Sequence, residues 1–160
     1  MKPSSLSDIK KQLDTLDNKE LVQLCSVLAK YKKENKELLT YLLFQSHDES
    51  DYVDNVKEEI KNQFKLINKT NIYFAKKSIR KALRIANKYI KYSSEKETEV
   101  ELLLYFSFLL KETGIPFKNS AAMNNLYNRQ LERINKALKT FHEDLQYDYK
   151  KDLEKLRSKA

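Results

Sequence analysis

A single glycine, Gly114, in 160 residues limits this chain more than any other feature of it. Primed two-residue hairpin turns need residues at positive φ, which a chain with one glycine barely supplies. Glycine-rich phosphate loops, the G-x-G-x-x-G dinucleotide fingerprint and the G-x-S-x-G nucleophile elbow are excluded outright. Two prolines complete the shortage of helix breakers. A helical chain remains, with 41% hydrophobic residues to form a core and 34% charged residues to surround it. Its length predicts a single domain over residues 1–160.

Apolar residues recur at helical spacing almost throughout, and Asn, Asp and Ser supply the stops. A short first helix carries Leu6, Ile9, Leu13 and Leu16. Asp17 followed by Glu20 has capping-box spacing and opens a second helix with Leu21, Leu24, Leu28 and Tyr31 on one face. Cys25 lies on that stripe and reads as a small core residue. Leu38, Leu39, Leu42 and Leu43 resume the pattern before a polar loop at residues 47–51. Val53, Val56, Ile60, Phe64 and Ile67 mark a fourth helix, and a fifth runs from about Thr70 to Tyr92.

Ser94 and Glu97 predict a second capping box, opening an apolar sixth helix that stops at Gly114 with Pro116 two residues beyond. Its run of apolar residues at 102–110 is too short to span a bilayer and predicts a buried helix. After residue 120, Tyr127, Leu131, Ile134, Leu138, Phe141 and Leu145 alternate steps of four and three until Asp148 breaks the seam. The seam predicts one helix packed along its neighbours, with a homodimer through residues 127–145 as the alternative. The expected fold is all-α, with seven to eight helices in antiparallel hairpins, as a helical bundle or a short α-α superhelix.

Charge is the informative asymmetry. Residues 1–59 hold nine basic and twelve acidic groups, and residues 95–160 hold twelve and eleven; residues 60–94 hold ten basic groups and no acidic one. Stepping about 100° per residue along the fifth helix gathers Lys77, Arg80, Lys81, Arg84, Lys88 and Lys91 on one face, within residues 76–91. Ile72, Ala75, Ile79, Ala82, Leu83, Ala86 and Ile90 fall opposite, with Tyr73 and Tyr92 beside the basic arc. Crowded like charges on a rod repel, so the face predicts an anionic partner: an acidic protein surface first, nucleic acid phosphates as the alternative. Tyr73 and Tyr92 offer rings on which an unpaired base can stack. Neutralisation by Glu95, Glu97, Glu99 and Glu101 of the next helix is the competing expectation. The apolar side of this helix reads as core, so no membrane partner is expected.

The remaining chemistry is thin. His142, Glu143, Asp144 and Asp148 form the densest polar cluster, and Asp144 and Asp148 share a helix face at i,i+4. The zinc-protease pattern H-E-x-x-H is absent, and two histidines in the whole chain cannot make a three-histidine site. A non-enzymatic protein with no cofactor, no metal and no catalytic residue is expected. No apolar stretch follows Lys2 to make a secretory signal, and the lone Cys25 has no partner for a disulfide, so a cytoplasmic location is expected.

Residues 75–85, 97–103 and 142–149, which carry Ala75-Lys76-Lys77-Ser78-Ile79-Arg80, Glu97-Thr98-Glu99-Val100-Glu101 and His142-Glu143-Asp144-Leu145, resemble a small bacterial family of uncharacterised helical proteins. The resemblance covers most of the chain; it implies a helical fold and brings no activity, cofactor or site. The segment from Leu6 to Cys25 is also similar to the SAP DNA-binding motif in its Lys-Lys-x-Leu and Glu-Leu-Val elements. It departs from that motif at the glycine-containing turn and is acidic overall.

Overall fold

The computed structural model describes residues 2–68, 70–115 and 120–158, and every regular element among them is helical. In order these are α1 (Leu6–Leu13), α2 (Asn18–Tyr31), α3 (Lys33–Thr40), a π-helical turn (Tyr41–Gln45), α4 (Glu49–Lys65), α5 (Ile72–Ser93), α6 (Lys96–Glu112), α7 (Ala121–Leu138) and α8 (Glu143–Ser158). The all-α class and the count of eight α-helices agree with the sequence. The helices divide into two compact units, Met1–Phe44 and Gln45–Ala160.

In the first unit the helix starts are well specified. Ser5 Oγ accepts the Asp8 N–H at 3.1 Å to cap α1. Asp17 and Glu20 form the reciprocal box that opens α2: Asp17 Oδ1 accepts the Glu20 N–H at 2.8 Å, and Glu20 Oε2 accepts the Asp17 N–H at 2.9 Å. Lys32, in extended conformation, separates α2 from α3, and Asn35 Nδ2 donates to the Leu28 carbonyl across the junction at 2.8 Å. Packing is sparser than capping. Among this unit's described residues only Tyr41 is buried, while Leu24, Val27, Leu28 and Tyr31 are exposed. Cys25 is exposed too, so it is not the core residue its stripe suggested. Helical spacing creates an apolar face, but three short helices supply little second layer to cover it.

The second unit is organised around α6, which packs against α4, α5, α7 and α8. Its sequence requires this, because Val100, Leu102, Leu103, Leu104, Phe106 and Leu110 leave it almost no polar face, and all six are buried. α4 contributes Tyr52, Val53, Val56, Ile60 and Phe64 to the same core, with the Phe64 and Phe106 rings edge to face at 5.5 Å. α5 contributes Ala75, Ile79, Ala82, Ala86 and Ile90, whose alanines permit close approach. Each fully buried Ile, Leu or Phe contributes about 1.5–3 kcal/mol relative to exposure.

The joints differ from the sequence reading in two places. Ser94 does not cap α6. It ends α5 in the left-handed conformation (φ 61°), its N–H donating to the Ile90 carbonyl at 2.9 Å, and Glu95 stands at the α6 N-cap without a side-chain bond. The connection is so short that a single serine has to close the preceding helix. Ser93 Oγ accepts the Glu95 N–H, while the Ser93 and Thr98 hydroxyls both donate to Glu49 Oε1, tying the start of α4 to this corner.

The second correction concerns the last seam, which is not one helix running to Asp148. It breaks at residues 139–142, where the N–H groups of Thr140 and Phe141 return to the Ala137 and Leu138 carbonyls and Thr140 Oγ1 donates to Ala137. Within α7, Tyr127, Leu131, Ile134 and Leu138 are buried in the unit's own core, whereas Phe141 is half-buried and Leu145, in α8, is 41% exposed. Gly114 (φ 67°) ends α6 as its position implied; Pro116 lies outside the described residues. No helix among the described residues is long and apolar enough to cross a membrane.

Candidate anion-binding ridge

Twenty-two residues of α5 make a rod about 33 Å long. Asn71 starts it, Oδ1 accepting the N–H groups of Tyr73 and Phe74 at 3.0 and 3.3 Å. Its alanine- and isoleucine-bearing side is buried, and the opposite side carries the cations.

Lys77, Arg80, Lys81, Arg84 and Lys91 are exposed, and none of the five makes an ion pair with the described residues. Lys88 differs: it is half-buried, with its ammonium 4.3 Å from the centre of the Tyr89 ring. Lys76 is also half-buried, at the margin of the face.

Of the four carboxylates at the start of α6, Glu97, Glu99 and Glu101 are engaged elsewhere, and Glu95 is exposed and makes no ion pair with the ridge cations. Glu99 Oε2 lies 3.0 Å from Lys96 Nζ and Oε1 lies 2.8 Å from Arg133 Nη2. Glu101 Oε2 lies 2.6 Å from Lys57 Nζ. Glu97 accepts the Tyr149 hydroxyl at 3.1 Å, and Glu59 accepts the Tyr89 hydroxyl at 2.6 Å. Burial alone would raise the Glu99 carboxyl, but its bonds to Lys96 and Arg133 outweigh burial and hold it below the ordinary carboxylate value. Burial, reinforced by Glu101 and Glu97, pushes the Tyr149 phenol up. Burial alone does the same to Tyr127.

Two features of the ridge escaped the sequence. Arg133 of α7 donates to Asn87 on α5 at 2.7 Å as well as to Glu99 on α6, and so fixes the rod against two neighbours. Nothing in the sequence marks it beyond its place beside the buried seam. The other feature is aromatic. Tyr73 is 71% exposed and Phe74 52%, with their rings edge to face at 5.5 Å. Tyr73 stands two helical turns before Arg80, in line with the cations. Ile72 was expected in the core but is 47% exposed, because it sits in the first turn of the helix.

The polar cluster around His142 is a surface feature. His142 Nδ1 lies 3.5 Å from Asp144 Oδ2 with both side chains exposed, and Asp148 is exposed as well. Two clefts open elsewhere on the unit. One of about 470 Å³ is lined by Glu49, Asp54, Glu95, Glu97 and Glu101 among others. Another of about 430 Å³ is lined by Lys57, Tyr105, Phe108, Tyr149 and Asp152 among others. His142 lines neither. Among the described residues no group of three or more His, Cys, Asp or Glu is placed to hold a metal ion. The chain matches no family model, no curated protein and no solved structure.

Proposed function

We propose that the protein is a non-enzymatic helical interaction or scaffold protein whose α5 ridge docks on an acidic surface of a partner protein. Lys77, Arg80, Lys81, Arg84 and Lys91 make the primary contacts, with Lys88 at the margin. One observation carries the reading: five exposed cations share one face of a rigid helix without a counter-charge among the described residues. Like charges at i,i+4 cost about 0.2–0.5 kcal/mol per pair, a cost that an anionic partner removes. The cations advance along the rod by about 5 Å per step of three or four residues. A partner helix with an acidic stripe repeats at the same interval.

The test is binding of the full chain to poly-L-glutamate as salt is raised, in parallel with single- and double-stranded oligonucleotides. The expected result is binding to poly-L-glutamate that weakens steeply with salt and is lost in the Arg80→Glu, Arg84→Glu double variant. No binding of any polyanion at low salt overturns the proposal. The exposed Tyr73 and Phe74 at one end of the ridge favour a second reading, single-stranded nucleic acid stacked on those rings. Tighter binding to the single-stranded oligonucleotide than to poly-L-glutamate, lost on Tyr73→Ser, replaces the first reading with the second.

A further inference from the structure

The turn between α4 and α5 exposes apolar side chains where a soluble helical hairpin normally ends in polar ones. Leu66, at the C-cap of α4, is 71% exposed, and it is followed across the turn by Ile72, Tyr73 and Phe74 at 47%, 71% and 52%. These are two aliphatic and two aromatic side chains at one tip. Along the chain on either side of them, residues 60–81 hold no acidic group. Lys61 and Lys65 close α4, and Lys76, Lys77, Arg80 and Lys81 follow on the first turns of α5. The nearest carboxylates along the chain are Glu59, which accepts the Tyr89 hydroxyl, and Glu58, within 3.6 Å of Lys61 and 3.5 Å of Lys65 with all three of these side chains exposed. Such a pair is held weakly in water and leaves the tip cationic.

We infer that this tip is a docking element for an anionic lipid bilayer, inserting Leu66, Ile72, Tyr73 and Phe74 among the headgroups while the surrounding lysines meet their phosphates and carboxylates. The combination of side chains selects the occupant. An acidic protein surface satisfies the cations but offers no apolar bed for Leu66 and Ile72. Nucleic acid bases stack on Tyr73 and Phe74 but gain little from the two aliphatic side chains. A bilayer surface alone places a negative plane directly over hydrocarbon, and aromatic rings settle at that boundary. The sequence argued against a membrane because the apolar side of α5 belongs to the core, and that side is indeed buried. The side chains at issue are a different set, gathered by the turn. This inference shares Lys77, Arg80 and Lys81 with the ridge, but it rests on the exposed apolar side chains of the tip and not on the ridge as a protein-docking surface.

The test is sedimentation of the full chain with vesicles of phosphatidylcholine alone and of phosphatidylcholine with phosphatidylserine. Each cation near an anionic surface contributes about fivefold to partitioning, so the serine-lipid vesicles are expected to bind the chain and the neutral ones to release it. Lys65→Ala and Lys77→Ala should each lose about fivefold. The Tyr73→Ser, Phe74→Ser double variant should lose at least tenfold, and Leu66→Ser, outside the helix, should weaken binding independently. All of these side chains are at the surface, and an unchanged circular dichroism melt establishes that the variants fold. Lys91→Ala, about 21 Å along the rod from Lys77, should leave vesicle binding unchanged while weakening binding to poly-L-glutamate.

Equal sedimentation with both vesicle types overturns the inference. So does vesicle binding that survives removal of both aromatic rings. Loss of oligonucleotide binding in the Tyr73→Ser, Phe74→Ser variant, with no vesicle binding in the parent chain, assigns the tip to nucleic acid instead.

Discussion

Arg84→Glu should make the protein more stable while abolishing its binding to poly-L-glutamate. Arg84 is exposed and has Arg80, Lys81 and Lys88 at the i−4, i−3 and i+4 positions of the same helix. Each like-charge pair at this spacing costs about 0.2–0.5 kcal/mol, and reversing the central charge turns each repulsion into a comparable attraction. Three pairs give a nominal gain of about 1–3 kcal/mol; solvent screening and non-additivity bring the expectation to about 1–2 kcal/mol at low ionic strength. For a chain of this size that corresponds to a rise of roughly 3–6 °C in Tm, or a higher urea midpoint at unchanged slope. Arg84→Gln should give about half the gain. At about 1 M salt, where the screening length falls to roughly 3 Å, the gain should vanish. Stability that falls, or stays the same at low salt, would mean that Arg84 already has a counter-charge, and the ridge would lose its standing as an open surface.

Two further predictions concern how the rod is held. Arg133→Met removes the bonds to Glu99 and Asn87, whose side chains face a partly exposed guanidinium (38%) and, at Glu99, a largely buried carboxylate (14%). A fully buried pair would cost 3–5 kcal/mol to break; this one should cost about 1–3 kcal/mol, read as a lower urea midpoint and partly rescued by Glu99→Gln in the same chain. Because the Glu99 carboxyl is held below its ordinary value of 4.5 in the folded protein, it adds stability above that value and loses it as pH falls through the folded value. Glu99→Gln should therefore lower the urea midpoint more at pH 7 than at about pH 3, and an equal difference at both would contradict the assigned role of Lys96 and Arg133.

The legible parts of the structure were those written in two patterns at once. α5 was readable because its cations and its Ala and Ile residues separate at one angular period, which fixes its orientation as well as its existence. The box at Asp17 and Glu20 was readable because two side chains specify each other. Ser94 misled because a serine suits an N-cap by its hydroxyl, whereas here its backbone adopts the left-handed form that glycine usually takes. The break at residues 139–142 carries no glycine or proline; backbone bonds and the Thr140 hydroxyl close it, and residue identity hardly registers such bonds. Angular periodicity placed Ile72 on the buried side of α5 but says nothing of how far neighbouring helices extend. For that reason the apolar tip, unlike the ridge, emerged only in three dimensions.

The open row of Leu24, Val27, Leu28 and Tyr31 on α2 has a practical consequence at the bench. A solvatochromic dye finds a landing place on the native chain before any heating, so a thermal-shift trace should start bright and rise little. Far-ultraviolet ellipticity reports the loss of eight helices regardless of what adheres to their outside, and is the sounder readout for every variant named above. The same row should retard the intact chain on a phenyl resin, and Leu28→Lys should release it earlier.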